Sequence, residues 1–263
     1  MTTLGGCGTA ERWVLPLKMS LTCLGTSDAF GSAGRHCAGY LLDTRDGCVL
    51  VDAGPSILTA LKTQGRRTDE LDAVVLSHLH GDHFGGVAFL ILEYSYEAPR
   101  TRPLIVVGPP DTERRVYELY FALYAEMRGK PLPFELRFVE VGDGSAIDLV
   151  DTRVESFRVP HQETAVSLGH RIRCGGSSLV YSGDTAWTPD LLRQSRGTDL
   201  FVCECTTFDT PVPRHVRYVD IAANRSSFDC GRLVLTHLGR EMRARQGEVD
   251  AELANDGLKI EVG

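Results

Sequence analysis

The sequence predicts an α/β protein arranged as an αββα sandwich, two β-sheets stacked face to face with helices on both outer faces. Three observations carry that expectation. Short apolar strand-like runs alternate with amphipathic helical ones. Their order along the chain is β-rich, then α/β, then β-rich, then α/β, as two similar halves would give. No linker-like stretch separates the halves, although no sequence repeat relates them either.

Taken in order, Met19 to Gly25 reads as a first strand, followed by strands over 38–43 and 47–52. Pro55 suits the first position of a helix over about 55–64, because its ring fixes φ near the helical value. Leu71 to Leu76 is a buried strand that runs into a His-rich loop. Gly85 and Gly86 follow, then an apolar helix to about Tyr96. Leu104 to Val107 is a strand closed by Gly108-Pro109-Pro110, and Asp111 or Thr112 is placed to cap the next helix. There Val116, Leu119, Tyr120, Leu123 and Met127 recur at helical spacing. Tyr94, Tyr96, Tyr117, Phe121 and Tyr124 fall in the same region and are read as core, with a substrate pocket or dimer interface as the alternative. From 134 to 182 the pattern turns to strands, at 134–141, 145–149, 152–159, 166–174 and 177–182. Gly142-Asp143-Gly144 and Gly175-Gly176 mark turns among them. A helix near 188–195, a strand at 199–204, a helix near 218–229, a strand at 232–236, a final helix and a short strand near 258–261 complete the chain.

The 263 residues are 43% apolar and 24% charged, ordinary for a soluble globular protein with a substantial core. A net charge of −7 argues against broad binding to a phosphate backbone, which needs basic surface. The eight cysteines include no CxxC pair; Cys203 and Cys205 share one face of a strand and the rest are scattered. Reduced, buried thiols in a cytoplasmic protein are therefore expected. No apolar run approaches the roughly 18 residues of a membrane span, and the N-terminus lacks the apolar core of a signal peptide. Residues 1–18 are expected to form a disordered tail, with Met19 a candidate internal start, ahead of one domain over 19–263.

Ser77-His78-Leu79-His80-Gly81-Asp82-His83-Phe84-Gly85-Gly86 packs three imidazoles and a carboxylate into six residues. Borderline divalent metals such as zinc prefer these donors. The spacing is too tight for one ion to use all four and keep an open position. Two neighbouring ions can share them, His78 and His80 on one, Asp82 and His83 on the other. His161 after Val159-Pro160, Asp184 in Tyr181-Ser182-Gly183-Asp184-Thr185 and His237 in Leu235-Thr236-His237-Leu238-Gly239 each follow an apolar strand. Residues just beyond strand ends can converge on one edge of a sheet stack. Asp52, at another strand end, is a candidate hydrogen-bond partner for a ligating imidazole. Asp28 is placed to border the site, and His36 and His170 are read as structural.

With these motifs in view, the chain resembles the metallo-β-lactamase superfamily. Ser77 to Gly86 matches its HxHxDH signature, and LGTSDAFGSAGR, VDAG, VPH, YSGDT, CECT and LTHLG occur in the family's order across 19–263. The resemblance implies the four-layer αββα metallo-β-lactamase fold and a hydrolytic site with two divalent metal ions, zinc first and manganese second. It implies that His78, His80 and His161 hold one ion, that Asp82, His83 and His237 hold the other, and that Asp184 bridges both opposite a nucleophilic hydroxide.

Within the superfamily, Asp184 in the bridging position and the lack of an export signal argue against an antibiotic-hydrolysing lactamase. His80 stands where the diiron, oxygen-reducing branch has Glu. Glu204 in Glu204-Cys205-Thr206-Thr207, followed by His215, resembles the glutamate and histidine of tRNase Z-like phosphodiesterases. In that branch the histidine acts at the scissile phosphate and the glutamate orients it. Asp82, Glu204 and His215 are thus the candidate catalytic residues, Asp82 also counting as a ligand. Only 22 residues separate His161 from Asp184, too few for the Gly/Pro-rich arm with which bacterial tRNase Z grips tRNA. The expected activity is hydrolysis of a small phosphodiester, nucleotide or short nucleic acid, by a homodimer. The alternatives are a tRNA 3′-end endonuclease, a hydrolase of a lactone, thioester or sulfate ester, and a non-catalytic metal-binding or carrier protein.

Overall fold

Residues that are apolar on both faces of a strand need cover on both sides, and the described residues supply it with two seven-stranded sheets and two helical layers. The computed structural model describes residues 19–263; the tail expected over 1–18 lies outside the described residues. The first half runs β1 (Met19–Gly25), β2 (Gly39–Asp43), β3 (Cys48–Ala53), α1 (Ile57–Thr63), β4 (Ala73–Val75), α2 (Gly81–Phe84), α3 (Gly86–Tyr96), β5 (Leu104–Gly108), α4 (Thr112–Leu123) and β6 (Leu136–Glu140). The second runs β7 (Ala146–Leu149), β8 (Thr152–Arg158), β9 (Leu168–Cys174), β10 (Ser177–Tyr181), α5 (Asp190–Ser195), β11 (Thr198–Glu204), α6 (Tyr218–Ala223), β12 (Cys230–Thr236), α7 (Arg240–Ala244), β13 (Glu252–Leu253) and β14 (Lys259–Val262).

The sheets are ordered β14-β1-β2-β3-β4-β5-β6 and β13-β12-β11-β10-β9-β8-β7. In the first, the pairs from β14 to β3 are antiparallel and those from β3 to β6 parallel. In the second, the pairs from β7 to β10 are antiparallel and those from β10 to β13 parallel. The two halves therefore share one topology, with β14 returning to the first sheet in the place that β7 holds in the second.

Side-chain alternation sorts the core into three layers. Val49 and Val51 of β3 share the central layer between the sheets with Leu200 and Val202 of β11. Cys48 and Leu50 of β3 face outward onto Ile57, Leu61, Val87 and Ile91 of the first helical layer. Phe201 and Cys203 of β11 face outward onto Leu191, Ile221 and Met242 of the second. This is the αββα sandwich. The seven described cysteines are free thiols. No helix among the described residues is long and apolar enough to cross a membrane.

Local differences from expectation have identifiable causes. The end of the His-rich loop is a turn of helix, α2, for which His80 occupies the N-cap position. Asp111 does not cap α4: its backbone is left-handed at φ 77° and its carboxylate accepts from Arg114. Thr112 instead donates its hydroxyl to the Pro109 carbonyl, at 2.6 Å. Of the helical stripe, Val116 and Tyr120 are buried, whereas Leu123 is exposed where α4 ends. Of the aromatic group, Tyr94 is buried and Tyr96 is exposed. The helix expected to 229 stops at Ala223 and passes into a short 3-10 turn at Arg225–Ser227. The two-residue strand β13 has no apolar run to announce it.

Gly86 sets how closely the helix after the ligand loop approaches β3. A Cβ there would lie 2.3 Å from the Gly54 carbonyl oxygen and 2.8 Å from that of Ala53, both backbone atoms. Gly86→Ala is expected to destabilise the protein by about 1–3 kcal/mol, the range for overpacking, read as a lower denaturant midpoint at unchanged m-value.

Candidate metal centre

Six strand ends deliver the candidate side chains to one edge of the sandwich. Asp52 lies within the end of β3. The chain leaves β4 at Leu76, whose N–H is held by the Val107 carbonyl, and Ser77 to His83 follow. His161 comes after β8, Asp184 after β10, Glu204 ends β11 and His237 follows β12. Three of these strand ends need unusual backbone. Gly183 sits at φ 59°, where a Cβ would be 2.5 Å from the Leu168 carbonyl oxygen, and Asp52 and His237 are left-handed at φ 55°.

The structure brings His78, His80 and His161 together in one cluster, and Asp82, His83, Asp184 and His237 in a second. In the first, His80 Nδ1 lies 3.1 Å from both His78 Nε2 and His161 Nε2. In the second, Asp184 Oδ2 is 3.3 Å from His83 Nε2 and 3.3 Å from His237 Nε2. Asp82 Oδ2 is 3.3 Å from His83 Nε2 and 3.4 Å from His237 Nε2. The same Asp184 oxygen is 3.9 Å from His78 Nε2 and from His161 Nε2, so this carboxylate adjoins both clusters.

Hydrogen bonds behind the clusters assign the tautomers. Ser77 donates its hydroxyl to Asp52 Oδ2 at 2.8 Å, so it accepts from His78 Nδ1 at 3.0 Å. His83 Nδ1 donates to Asp52 Oδ2 at 2.8 Å, and His161 Nδ1 to the Arg214 carbonyl at 3.1 Å. Thr206 donates to Glu204 Oε2 at 2.9 Å and accepts from His237 Nδ1 at 3.0 Å. In each neutral ring Nε2 is left with its lone pair turned into the cluster. His83 Nε2 and Asp184 Oδ1 are buried and have no hydrogen-bond partner. Imidazole nitrogens and carboxylate oxygens that converge in this way are chemically matched to divalent cations, and the residues fit that role.

The acid–base balance points the same way. Burial pushes His78, His80 and His161 below the usual imidazole range, so all three are neutral donors. Burial also opposes charge on His83 and His237. Against it, Asp184, Asp52 and Asp82 hold His83 well above the usual value, and Asp184 and Asp82 raise His237 to about 9. Burial raises Asp184 and Asp82, but the adjacent imidazoles outweigh it and hold both carboxyls below their ordinary range. The second cluster is built around positive charge.

His215 lies beside the clusters, its ring centroid 5.0 Å from that of His161. Its Nδ1 donates to Glu204 Oε1 at 3.0 Å. Glu204 is buried and accepts also from Thr206 and from the Thr185 and Val216 amides. Burial opposes the His215 imidazolium, but Glu204 raises its pKa above the ordinary value. A cavity of about 420 Å³ opens over these groups; Asp28, His80, Asp82, Asp184, His215 and His237 are in its wall. His36 and His170 lie apart from the clusters: His170 is buried with contacts to Ser156 and the Leu76 carbonyl, and His36 lies near Asp256. Sequence reading missed Thr206, Tyr181 and Ser77 as supports. Thr206 was within reach, because it sits two residues past Glu204 in the same motif.

Asp52 accepts four hydrogen bonds, from the Ser77 amide and hydroxyl, His83 Nδ1 and the Tyr181 hydroxyl. Asn tolerates the left-handed backbone but has one acceptor oxygen and no charge. Asp52→Asn is therefore expected to weaken metal affinity about 10–100-fold in chelator competition.

Comparison with known proteins agrees with this architecture. The chain is 27% identical over 270 residues to a Ribonuclease Z of Mycobacterium marinum, covering 93% of this chain and 96% of the relative. The fold is shared with the metallo-β-lactamase fold protein YhfI from Bacillus subtilis, with a TM-score of 0.74 at 21% identity over 93% of this chain and 99% of that one. It is shared equally with the short form of human tRNase Z, with a TM-score of 0.75 at 22% identity and the same coverage. A family model described as "Anti-Pycsar protein Apyc1" matches residues 19–254. The chain is a tRNase Z-like metallo-β-lactamase-fold hydrolase and belongs to the Anti-Pycsar protein Apyc1 family.

Proposed function

We propose that this metal-dependent hydrolase is a phosphodiesterase that acts on small phosphodiesters, a cyclic nucleotide or short oligonucleotide in the first place. The observation that carries the reading is His215, held at Nδ1 by the buried Glu204 while its ring lines the same cavity as His80, Asp82, Asp184 and His237. A histidine so placed keeps Nε2 for a substrate and, with its raised pKa, keeps a proton there. An alkoxide leaving group needs that proton.

In this reading His78, His80 and His161 would hold one ion, Asp82, His83 and His237 would hold a second, and Asp184 would serve both. The imidazole-rich set favours zinc, with manganese second. Two such ions, when bound, would supply an activated water and neutralise charge developing on the phosphoryl oxygens. His215 protonates the departing oxygen. Glu204 orients His215 directly and His237 through Thr206, so one buried carboxylate steadies both the proton donor and a ligand.

Substrate size is argued from two features. The residues between His161 and Asp184 are occupied by β9, β10 and a tight turn, which leaves no tRNA-gripping arm. The cavity of about 420 Å³ suits a small molecule. A tRNA 3′-end endonuclease is supported by relatives named Ribonuclease Z, and these two features count against it. The reading includes a cytoplasmic location, supported by the free thiols. It also includes a homodimer, supported by the half-buried Tyr117 and Phe121, which stack beside a groove of about 610 Å³ on α4.

His215→Ala is expected to lower kcat for a cyclic nucleotide about 10²–10⁴-fold, the usual contribution of a general acid. The loss should be much smaller for bis(p-nitrophenyl) phosphate, whose phenolate leaves without a proton, and metal content should be unchanged. Equal losses on both substrates would remove His215 from the proton-transfer role.

A further inference from the structure

Phe30 is 89% exposed, the most exposed large hydrophobic side chain among the described residues. A lone apolar side chain on a surface is ordinary. This one differs in where it stands and how it is held. It lines the cavity whose floor carries Asp82, Asp184, His215 and His237.

The loop that carries it is fixed at both ends. Asp28, itself buried, accepts the Phe30 N–H at 3.2 Å, the Ser32 N–H at 3.1 Å and the Ser32 hydroxyl at 2.8 Å. The base of the loop pairs with the strand end beside His237: Leu238 N–H donates to the Thr26 carbonyl at 2.9 Å, and Ser27 bridges to Leu238. Phe30 is thus set in register with a candidate ligand, on backbone that does not have to order when a substrate arrives. Val212 and Pro213 add further apolar surface to the same cavity.

The cavity wall therefore joins imidazoles and carboxylates to an apolar group of Phe30, Val212 and Pro213, with Arg240 and Glu241 also in the wall. A ligand that matches both has a phosphoryl group at one end and a flat, weakly polar ring at the other. We infer that Phe30 is a specificity-determining residue that stacks on the nucleobase of the substrate. The inference rests on the phosphodiesterase reading and adds to it the part of the substrate that is recognised. Because every base offers a π-face, stacking of this kind selects nucleotides over other phosphodiesters without choosing strongly among bases.

The test compares wild type, Phe30→Ala and Phe30→Trp, each metal-loaded, on two substrates followed by ³¹P NMR. One is a 3′,5′-cyclic nucleoside monophosphate. The other is the matching 1-O-methyl riboside cyclic phosphate, with methoxy in place of the base. Phe30→Ala should raise KM for the cyclic nucleotide roughly 5- to 150-fold, the range that alanine substitution of a base-stacking aromatic gives, with kcat little changed. Phe30→Trp should restore it, and KM for the base-free compound should not move. Equal effects on both substrates, or none on either, overturn the assignment while leaving the phosphodiesterase reading in place. Turnover of neither substrate by wild type overturns that reading, and this inference with it.

Discussion

The arrangement depends on one buried carboxylate. Asp52 stands at the end of β3 in a left-handed conformation and gathers four donors from three residues on two separate stretches of chain. Through Ser77 it fixes the exit of the ligand loop from the first sheet. Through Tyr181 it ties that loop to β10 of the second sheet. Through His83 it sets which nitrogen of that imidazole faces the second cluster. A residue accepting so many bonds in the dry interior holds the two sheets in register at the edge where the donors meet, and each lost bond would leave a buried donor unsatisfied.

Glu204 has the corresponding role in the second half of the chain. It ends β11 as Asp52 ends β3, and it too accepts from side chains and backbone amides at once. The two strands do not occupy equivalent places in their sheets, but each ends in a buried carboxylate that orients imidazoles. The difference lies in what is oriented. Asp52 serves candidate ligands only, His83 directly and His78 through Ser77. Glu204 serves a candidate ligand through Thr206 and also His215, which the cavity leaves open to a substrate.

Much of this was legible in the sequence because the information was local. Strands covered on both faces produce unbroken apolar runs, such as Ala73 to Leu76 through β4 and Leu200 to Cys203 in β11, and their ends place the candidate site. His78, His80, Asp82 and His83 stand within six residues, so their meeting needs no long-range argument. His161, Asp184 and His237 were found by their position just past strands. What stayed hidden is set by distance along the chain. Tyr181 reaches Asp52 across 129 positions, and the Arg214 carbonyl meets His161 across 53. That His80 turns Nδ1 toward its neighbours is a matter of ring orientation, which no spacing rule encodes. The Asp111 cap failed because the backbone there is left-handed, and the exposure of Leu123 follows from where α4 ends.

The central claim is that Asp184 joins two donor clusters into one two-ion site. It is tested most directly by metal content, measured by mass spectrometry on wild type and Asp184→Ala after equilibration with zinc, alongside circular dichroism to show that both are folded. The account predicts about two ions per wild-type chain and a clear loss in the folded variant. One ion or none in wild type, or two ions retained in Asp184→Ala, would contradict it.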